Sequence, residues 1–476
     1  MGATIGLGCI GEAALASAST STDGAAGEMT AEIAIMNRQA IALAADSAAT
    51  VELPREHTQS HERKIFTSAH KVFALSKYHP VGIMVYGRAD LLQVPWEVIV
   101  KMYRRRLGPR SFDTVEEYAK DFLGFLENAN PLFPDAEQTK HVYGMARSFF
   151  EQVIRDEITE EAEVVAAEQG EITRIEHRKI TSRVIRTRQR ELAKAAMAPG
   201  LPDTHVEDIV KEYGDILNEA IEEVFERASL SKASRGHLRT IGASIMSKDI
   251  WPLDVSGVVI GGFGEAEYFP ALWSCDIAGL ACNRLKCKTQ LSDQTTHSKQ
   301  AGIYAFAQQE MVHAFLYGAD PSLRRFMDLH LSHVFEEYPS TVVDALEGLD
   351  EEERTRLLRV LTKSGASLLE FFRKTVDDRV QEQHAAPIIR VVAVLPKDEL
   401  AIMAETLVNL TSFKRKVSME SETVGGPIDV ALITKGDGLI WVKRKHYFDA
   451  TLNPQFFANY YREAYDGQQE ATGSDL

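Results

Sequence analysis

The chain has 476 residues, 45% of them hydrophobic, which suits one large elaborated domain or two to three smaller units. Its formal net charge is −16, which argues against nucleic-acid phosphates as the main partner. The sequence has no run of about 18 apolar residues, so it predicts no membrane span and fits a cytoplasmic protein.

The N-terminal stretch is rich in Ala, Ser, Gly and Thr, and residues 1–28 contain neither Lys nor Arg. A secretory signal would need a basic start and a continuous apolar segment. We interpret residues 1–29 either as a disordered pro-segment that is removed, or as a misassigned start with translation beginning at Met29. Both routes free Thr30, by autocatalysis or by a methionine aminopeptidase.

The next part of the chain predicts short apolar strands joined by turns. Residues 47–70 are polar and predict a loop or an extended hairpin. A helix is predicted from about 90 to 106, ended by Gly108. The predicted strands cover 31–36, 40–45, 71–75 and 81–87.

Residues 110–245 are heavily charged and predict a helical insertion. Within it, residues 174–194 are locally basic. Because the surrounding helices are acidic, we expect a solvated or partner-facing helix there rather than a nucleic-acid contact. Three roles stay open for this insertion: a subunit interface, a cap over the entrance to a functional site, or a docking surface for a partner protein.

Strand patterns return after the insertion and alternate with helices up to a C-terminal hairpin. A second helical insertion is predicted at 341–385, and residues 449–476 form a C-terminal extension whose last part is a frayed tail. The predicted strands are 255–263, 269–276, 428–434 and 439–443. The predicted helices are 300–317, 322–337 and 397–417, with a short apolar segment at 388–395.

This order predicts an α+β fold, with mostly antiparallel strands and helices packed outside them. The expected core is discontinuous and combines residues 30–108, 250–340 and 386–448. The four cysteines, Cys9, Cys275, Cys282 and Cys287, contain no CxxC pair. They predict buried thiols rather than disulfides or a metal site.

Thr30 is the first candidate for chemistry. A threonine at a mature N-terminus carries a hydroxyl nucleophile and its own base, the free α-amine. Asp46 follows sixteen residues later, at the end of the second predicted strand. Without further support, both could be ordinary strand and turn residues.

Several blocks in order resemble the proteasome β subunits and their bacterial relatives. They are Thr30-Ala-Glu-Ile-Ala-Ile with Ala44-Ala-Asp46-Ser, Lys71-Val-Phe, Gly82-Ile-Met-Val-Tyr-Gly87, Val258-Val-Ile-Gly-Gly-Phe263 and Gly425-Gly-Pro-Ile-Asp429. The Thr-to-Asp spacing matches the family pattern without a gap. The resemblance covers about half the chain and implies an N-terminal nucleophile (Ntn) hydrolase with a four-layer αββα sandwich.

By this resemblance, Asp46 orients Lys71, Lys71 activates Thr30, and the backbone N–H of Gly87 donates to the tetrahedral oxyanion. Lys64 is a competing match for the lysine. Lys71 is preferred because its distance to Gly87 leaves a plausible hairpin.

The supporting residues of the family are altered in this sequence. The serine-bearing turn is replaced around Gln308, which could hydrogen-bond near the amine, and the acid after the last long helix appears as Glu422. By analogy, Ala49, Val85 and Ala89 line the substrate pocket and favour an apolar side chain before the scissile bond.

The resemblance implies a threonine hydrolase that cleaves peptide or amide bonds without a cofactor or metal and assembles into a homo-oligomer such as a ring. Two alternatives remain open. One is a catalytically inactive proteasome-fold scaffold or binding protein, which the altered support favours. The other is a small-molecule amidase of the Ntn superfamily.

Overall fold

The computed structural model describes residues 30–54, 61–128, 131–170, 172–226, 230–252, 255–418, 425–446, 448–455 and 458. The strands in these residues are β1 (Ala31–Asn37), β2 (Ile41–Ala45), β3 (Ala49–Pro54), β4 (His61–Phe66), β5 (Val72–Ala74), β6 (Val81–Gly87), β7 (Asp90–Leu91), β8 (Val94–Pro95), β9 (Ser256–Gly262), β10 (Ala271–Ala281), β11 (Arg284–Gln294), β12 (Ala301–Ala307), β13 (Asp429–Thr434) and β14 (Gly438–Lys443).

Helices fill the two predicted insertions and flank the sheets. They are α1 (Trp96–Leu107), α2 (Val115–Asn128), α3 (Asp135–Phe149), α4 (Asp156–Gln169), α5 (Arg174–Lys194), α6 (His205–Glu212), α7 (Gly214–Phe225), α8 (Lys232–Ser247), α9 (Glu310–Tyr317), α10 (Pro321–Ala345), α11 (Glu351–Val380), α12 (Ala386–Val392) and α13 (Lys397–Val417). Short π-helical segments join α3 to α4 and α11 to α12.

Two five-stranded sheets, both antiparallel throughout, organise the molecule. The first has the order β12-β1-β2-β13-β14 and the second has the order β11-β10-β9-β6-β5. The α+β class predicted from the sequence is therefore confirmed. The predicted strands at 31–36, 40–45 and 81–87 and the C-terminal hairpin are also confirmed.

The two sheets pack face to face through a shared apolar layer that includes Met36 and Leu43 of the first sheet and Met84 and Val259 of the second. Helices α12 and α13 cover the outer face of the first sheet, and α1 and α2 cover the outer face of the second. Burial on both faces explains why β1, β2 and β6 are almost continuously apolar instead of alternating.

The range predicted as the first insertion, 110–245, divides in two. Helix α2 packs on the second sheet and belongs to its core. The remaining helices, α3 to α8, surround a separate apolar core that includes Phe150, Ile185 and Leu238.

The prediction of a helix from 90 to 106 was wrong at its start, because α1 begins only at Trp96. Residues 90–95 form the tight β7–β8 hairpin, in which Leu92 and Gln93 have positive φ angles of 48° and 64°. The prediction of a helix from 300 to 317 was also wrong in its first half, where residues 301–307 form β12. Residues 301–307 pair with β1 along its whole length, and this pairing outweighs the helix preference of the alanines in β12.

Other differences concern length and type of elements. The predicted strand at 269–276 extends to Ala281 as β10, and β11 was not predicted. The apolar segment 388–395 lies largely in helix α12, which begins with Pro387 in its first turn. None of the described helices combines the length and apolar character that crossing a membrane requires.

Candidate active site

Thr30 lies immediately before β1 and is 3% exposed. Its carbonyl accepts a hydrogen bond from the backbone N–H of Gln308, 3.3 Å away, where β12 ends beside β1. The turn there bends sharply, since Ala307 has a φ of +57°. Backbone contacts therefore hold Thr30 in place.

Asp46 follows β2 and lies beside the start of β1 because the two strands form a hairpin that returns the chain. Its backbone N–H donates to the carbonyl of Ala31 at 3.2 Å, and its Oδ1 accepts from the N–H of Ala31 at 3.3 Å. Its Oδ2 accepts from the backbone N–H of Gly425 at 2.9 Å. The sixteen-residue spacing from Thr30 is therefore the length of one hairpin.

Lys71 lies just before β5 in the second sheet, where its carbonyl accepts from the N–H of Val85 at 2.9 Å. Its Nζ lies 2.5 Å from Oδ1 of Asp46, in the first sheet. Because Lys71 adjoins the second sheet and Asp46 adjoins the first, this contact bridges the two sheets. The lysine side chain is buried between them. Of the two candidate lysines, Lys71 makes this contact in the structure; Lys64 lies on β4, and its side chain is outside the described part.

Glu32 is a site residue that the sequence interpretation missed. Its Oε2 accepts a hydrogen bond from Oγ1 of Thr30 at 3.0 Å, and its Oε1 lies 3.0 Å from Nζ of Lys71. The second contact is a buried ion pair. The signal in the sequence was a lone acidic residue in an otherwise apolar strand, two positions after Thr30 and hence on the same face.

Burial controls the charges of this cluster. It raises the pKa of the Glu32 carboxyl to about 8, against the opposing effect of Lys71. Burial alone would lower the pKa of the Lys71 ammonium, but the adjacent carboxylates of Glu32 and Asp46 outweigh it and raise that pKa. Lys71 is therefore cationic at neutral pH, and Glu32 holds its proton more tightly than an ordinary carboxyl does.

Gly87 ends β6 with a φ of +73°, in the left-handed region that favours glycine. A Cβ at this position would lie 2.1 Å from the carbonyl oxygen of Val255. The close approach of these two backbone segments requires a glycine here.

A cleft of about 190 Å³ adjoins the cluster and has Lys71 and Gly87 in its wall. Two of the predicted pocket residues, Val85 and Ala89, line it. The apolar lining also includes Ala48 and Trp96, which the sequence did not single out. The side chain of Ala49 lies outside the described residues.

Two further residues, Gln308 and Glu422, were predicted to support the site. Gln308 is buried and its backbone contacts Thr30, while its side-chain Oε1 accepts from Nε of Arg415 at 3.1 Å. Glu422 lies outside the described residues.

A second ion pair joins Asp429, at the start of β13, to Lys445 at 2.6 Å. His70, in the wall of the cleft, has its Nδ1 3.6 Å from the same carboxylate. Burial lowers the pKa of Lys445, with the Lys71 cation adding to that effect. The Asp429–Lys445 pair therefore lies within electrostatic range of the cluster, but its described contacts do not include Thr30.

The described residues contain no group of three or more His, Cys, Asp or Glu side chains placed to hold a metal ion. Cys275 is buried and, like Cys282 and Cys287, is a free thiol. The chain matches no protein-family model and no curated protein.

Proposed function

We propose that this chain is a proteasome-like Ntn hydrolase, in which Thr30 cleaves peptide or other amide bonds once residues 1–29 are removed. The observation that carries the proposal is one buried cluster joining a hydroxyl nucleophile, a lysine cation and an orienting acid. In it, Thr30 contacts Glu32, Glu32 contacts Lys71, and Lys71 contacts Asp46.

The layer order supports the same proposal. Helices, an antiparallel sheet, a second antiparallel sheet and further helices follow one another across the molecule. This is the order of the four-layer αββα sandwich that the resemblance implies for an Ntn hydrolase.

The chemistry begins with the free α-amine of Thr30. Such an amine has an ordinary pKa of about 7.7–8.0, so a sizeable minority is neutral at pH 7. It takes the hydroxyl proton as Oγ1 attacks the substrate carbonyl, and it passes this proton to the leaving amine as the C–N bond breaks and the acyl-enzyme ester forms. Water then hydrolyses the ester, which releases the acid product and restores the Thr30 hydroxyl. The Lys71 cation stabilises the negative charge that develops on Oγ1, and Asp46 holds that cation in place.

The oxyanion of the tetrahedral intermediate would accept a hydrogen bond from the backbone N–H of Gly87. The cleft beside it would hold the side chain that precedes the scissile bond. Because Ala48, Val85, Ala89 and Trp96 line this cleft, an apolar side chain is the expected preference. The partner is then a peptide or protein substrate.

The decisive experiment is N-terminal and intact-mass analysis of the purified protein, followed by labelling with an electrophilic β-lactone probe. We expect a chain that starts at Thr30 and gains one probe mass, and a Thr30→Ala variant that gains none. Turnover of a peptide amide should disappear in the same variant.

A native protein that retains residues 1–29 and resists the probe would instead support the inactive scaffold. Turnover of short amides, but not of peptides extended on both sides of the scissile bond, would identify a small-molecule amidase.

A further inference from the structure

The Met29–Thr30 bond raises a chemical question of its own. While this bond is intact, the nitrogen of Thr30 is a peptide amide, whose lone pair is delocalised into the carbonyl. The base that serves the mature threonine does not yet exist. If the chain cleaves this bond itself, another group must take the proton from Oγ1.

Lys71 does not meet this need. The carboxylates of Glu32 and Asp46 raise its pKa, so at neutral pH its amine is protonated and has no free lone pair. Lys71 can stabilise negative charge but does not accept the proton.

Asp46 does not meet it either, because its described hydrogen bonds all come from other donors. Its Oδ1 accepts from Lys71 and from the N–H of Ala31, and its Oδ2 accepts from the N–H of Gly425. In the described part of the chain, Asp46 makes no hydrogen bond to the hydroxyl of Thr30.

Glu32 has the required geometry. Within the described residues its carboxylate is the one basic group that accepts a hydrogen bond from Oγ1 of Thr30, at 3.0 Å. The glutamate is fully buried. Its second oxygen lies 3.0 Å from the Lys71 cation.

We propose that Glu32 is the general base by which this chain cleaves its own Met29–Thr30 bond. The inference rests on the proposed function, because it concerns how the nucleophile of that reaction is released.

The reaction balances in two steps. First, Glu32 takes the proton from Oγ1, the oxygen attacks the carbonyl carbon of Met29, and a tetrahedral intermediate forms. The C–N bond then breaks, the Thr30 nitrogen takes the proton back from Glu32, and the acyl group is left as an ester on Oγ1. In the second step, water adds to the ester carbonyl and Oγ1 leaves with a proton, which yields a free carboxylate and a free N-terminal threonine.

The deprotonated fraction of a base and its basicity are best balanced when its pKa lies near the working pH. The raised pKa of Glu32, about 8, meets this condition, whereas an ordinary carboxylate would be a much weaker base. The charged groups facing Glu32 are Lys71, which opposes the shift, and Asp46, which adds to it.

The test follows the full chain, synthesised in a reconstituted translation reaction, by mass over time. The variants are Glu32→Gln, Thr30→Ala and Asp429→Asn. The last is the matched control, because Asp429 is also a buried, ion-paired carboxylate but does not contact Thr30.

We expect cleavage at 29–30 in the wild type and in Asp429→Asn, and none in Thr30→Ala. In Glu32→Gln, cleavage should be slower by about 10²-fold or more, the usual contribution of a general base. A wild-type chain synthesised from Met29, whose methionine is then removed by an added aminopeptidase, carries a free Thr30 without self-cleavage and should accept the probe. Cooperative thermal unfolding of the full-length Glu32→Gln chain would show that this variant folds.

Cleavage of Glu32→Gln at the wild-type rate would overturn the proposal. So would a wild-type chain that stays intact while the chain started at Met29 accepts the probe, which would leave the proposed hydrolase standing. If neither wild-type chain reacts with the probe, the proposed function fails as well.

A second measurement uses only the wild type and does not depend on the variant folding. The cleavage rate should rise with pH from about 6 to about 8 and then level off as Glu32 becomes ionised. A rate that is constant across this range would contradict the role of Glu32.

Discussion

At the scale of single residues, the charge state of the site is set by two carboxylates that lie beside one lysine. Asp46 contacts Lys71 at 2.5 Å and Glu32 lies 3.0 Å from it, all three buried between the sheets. One cation cannot fully balance two buried carboxylates, so one of them retains its proton more readily. Burial and the contacts separate the two carboxylates: Asp46 holds the lysine, and Glu32 contacts Thr30, the proposed nucleophile.

Substituting Asp46→Asn should remove the charge that orients Lys71 while keeping the shape of the side chain. We expect peptide-amide hydrolysis to fall by about 10²–10⁴-fold, the range typical of positioned proton-transfer machinery. Steady-state kinetics of the processed protein would measure the change. The main loss should be in kcat rather than KM, because Asp46 acts on charge that develops during the reaction. A loss confined to KM would contradict this role.

Glu32 should also make stability depend on pH. Its folded-state pKa is raised above the value in the unfolded chain, so the folded protein holds a proton that the unfolded chain releases. Stability should therefore decrease as pH rises from about 4.3 to about 8. In a Thr30→Ala background, which keeps the chain uncleaved, adding Glu32→Gln should flatten this decrease in Tm. If the plots of Tm against pH for the two variants run parallel, the raised pKa of Glu32 is contradicted.

The sequence predicted some of these residues and missed one for a physical reason. Thr30 and Asp46 lie at the two ends of one β-hairpin, so their proximity can be predicted from a short stretch of sequence. Glu32 depends on a distant pairing, since it lies opposite Phe306 of β12. With 301–307 predicted as helix, β1 becomes an edge strand, where an acidic residue is ordinary. In the structure β12 and β2 flank Glu32, and its side chain faces Lys71 of the second sheet, so the carboxyl is buried.

At the scale of elements, the end of β6 positions the proposed oxyanion donor. Substituting Gly87→Ala should destabilise the protein through a positive φ and through the contact of the new Cβ with Val255. Left-handed strain costs about 1–2 kcal/mol for a non-glycine residue, and the steric overlap adds to it. Thermal unfolding would measure the loss. Hydrolysis should fall too, because the backbone would shift where the oxyanion binds.

Gly438 offers a control for that substitution. It has a φ of +74° at the start of β14, close to that of Gly87, but its Cβ would meet nothing within 4 Å. Gly438→Ala should therefore show the backbone strain without the steric overlap, with a smaller decrease in Tm. Equal decreases for the two variants would mean that the contact with Val255 adds nothing.

At the scale of the whole molecule, the helical hairpin of α10 and α11 exposes large apolar side chains. Ion pairs join its two helices, for example Arg373 with Asp328 at 2.6 Å. On the outside, Leu368 and Phe371 of α11 are 57% and 68% exposed. Other exposed apolar residues of the hairpin are Leu323, Phe326, Met327, Leu329, Val334, Tyr338, Leu358, Val360 and Phe372. A surface of this kind marks an interaction site in soluble proteins.

We expect a second copy of the chain to cover this hairpin, in line with the homo-oligomer that the resemblance implies. Substituting Leu368→Glu together with Phe371→Glu would place buried charges in such an interface, so the assembly should dissociate toward monomers. Light scattering after size-exclusion chromatography would measure the mass. Val164→Glu is the control, since Val164 is 59% exposed but lies on α4 in the other helical unit. A wild-type protein that is already monomeric at micromolar concentration, or a double variant that keeps the wild-type mass, would contradict self-assembly through this surface.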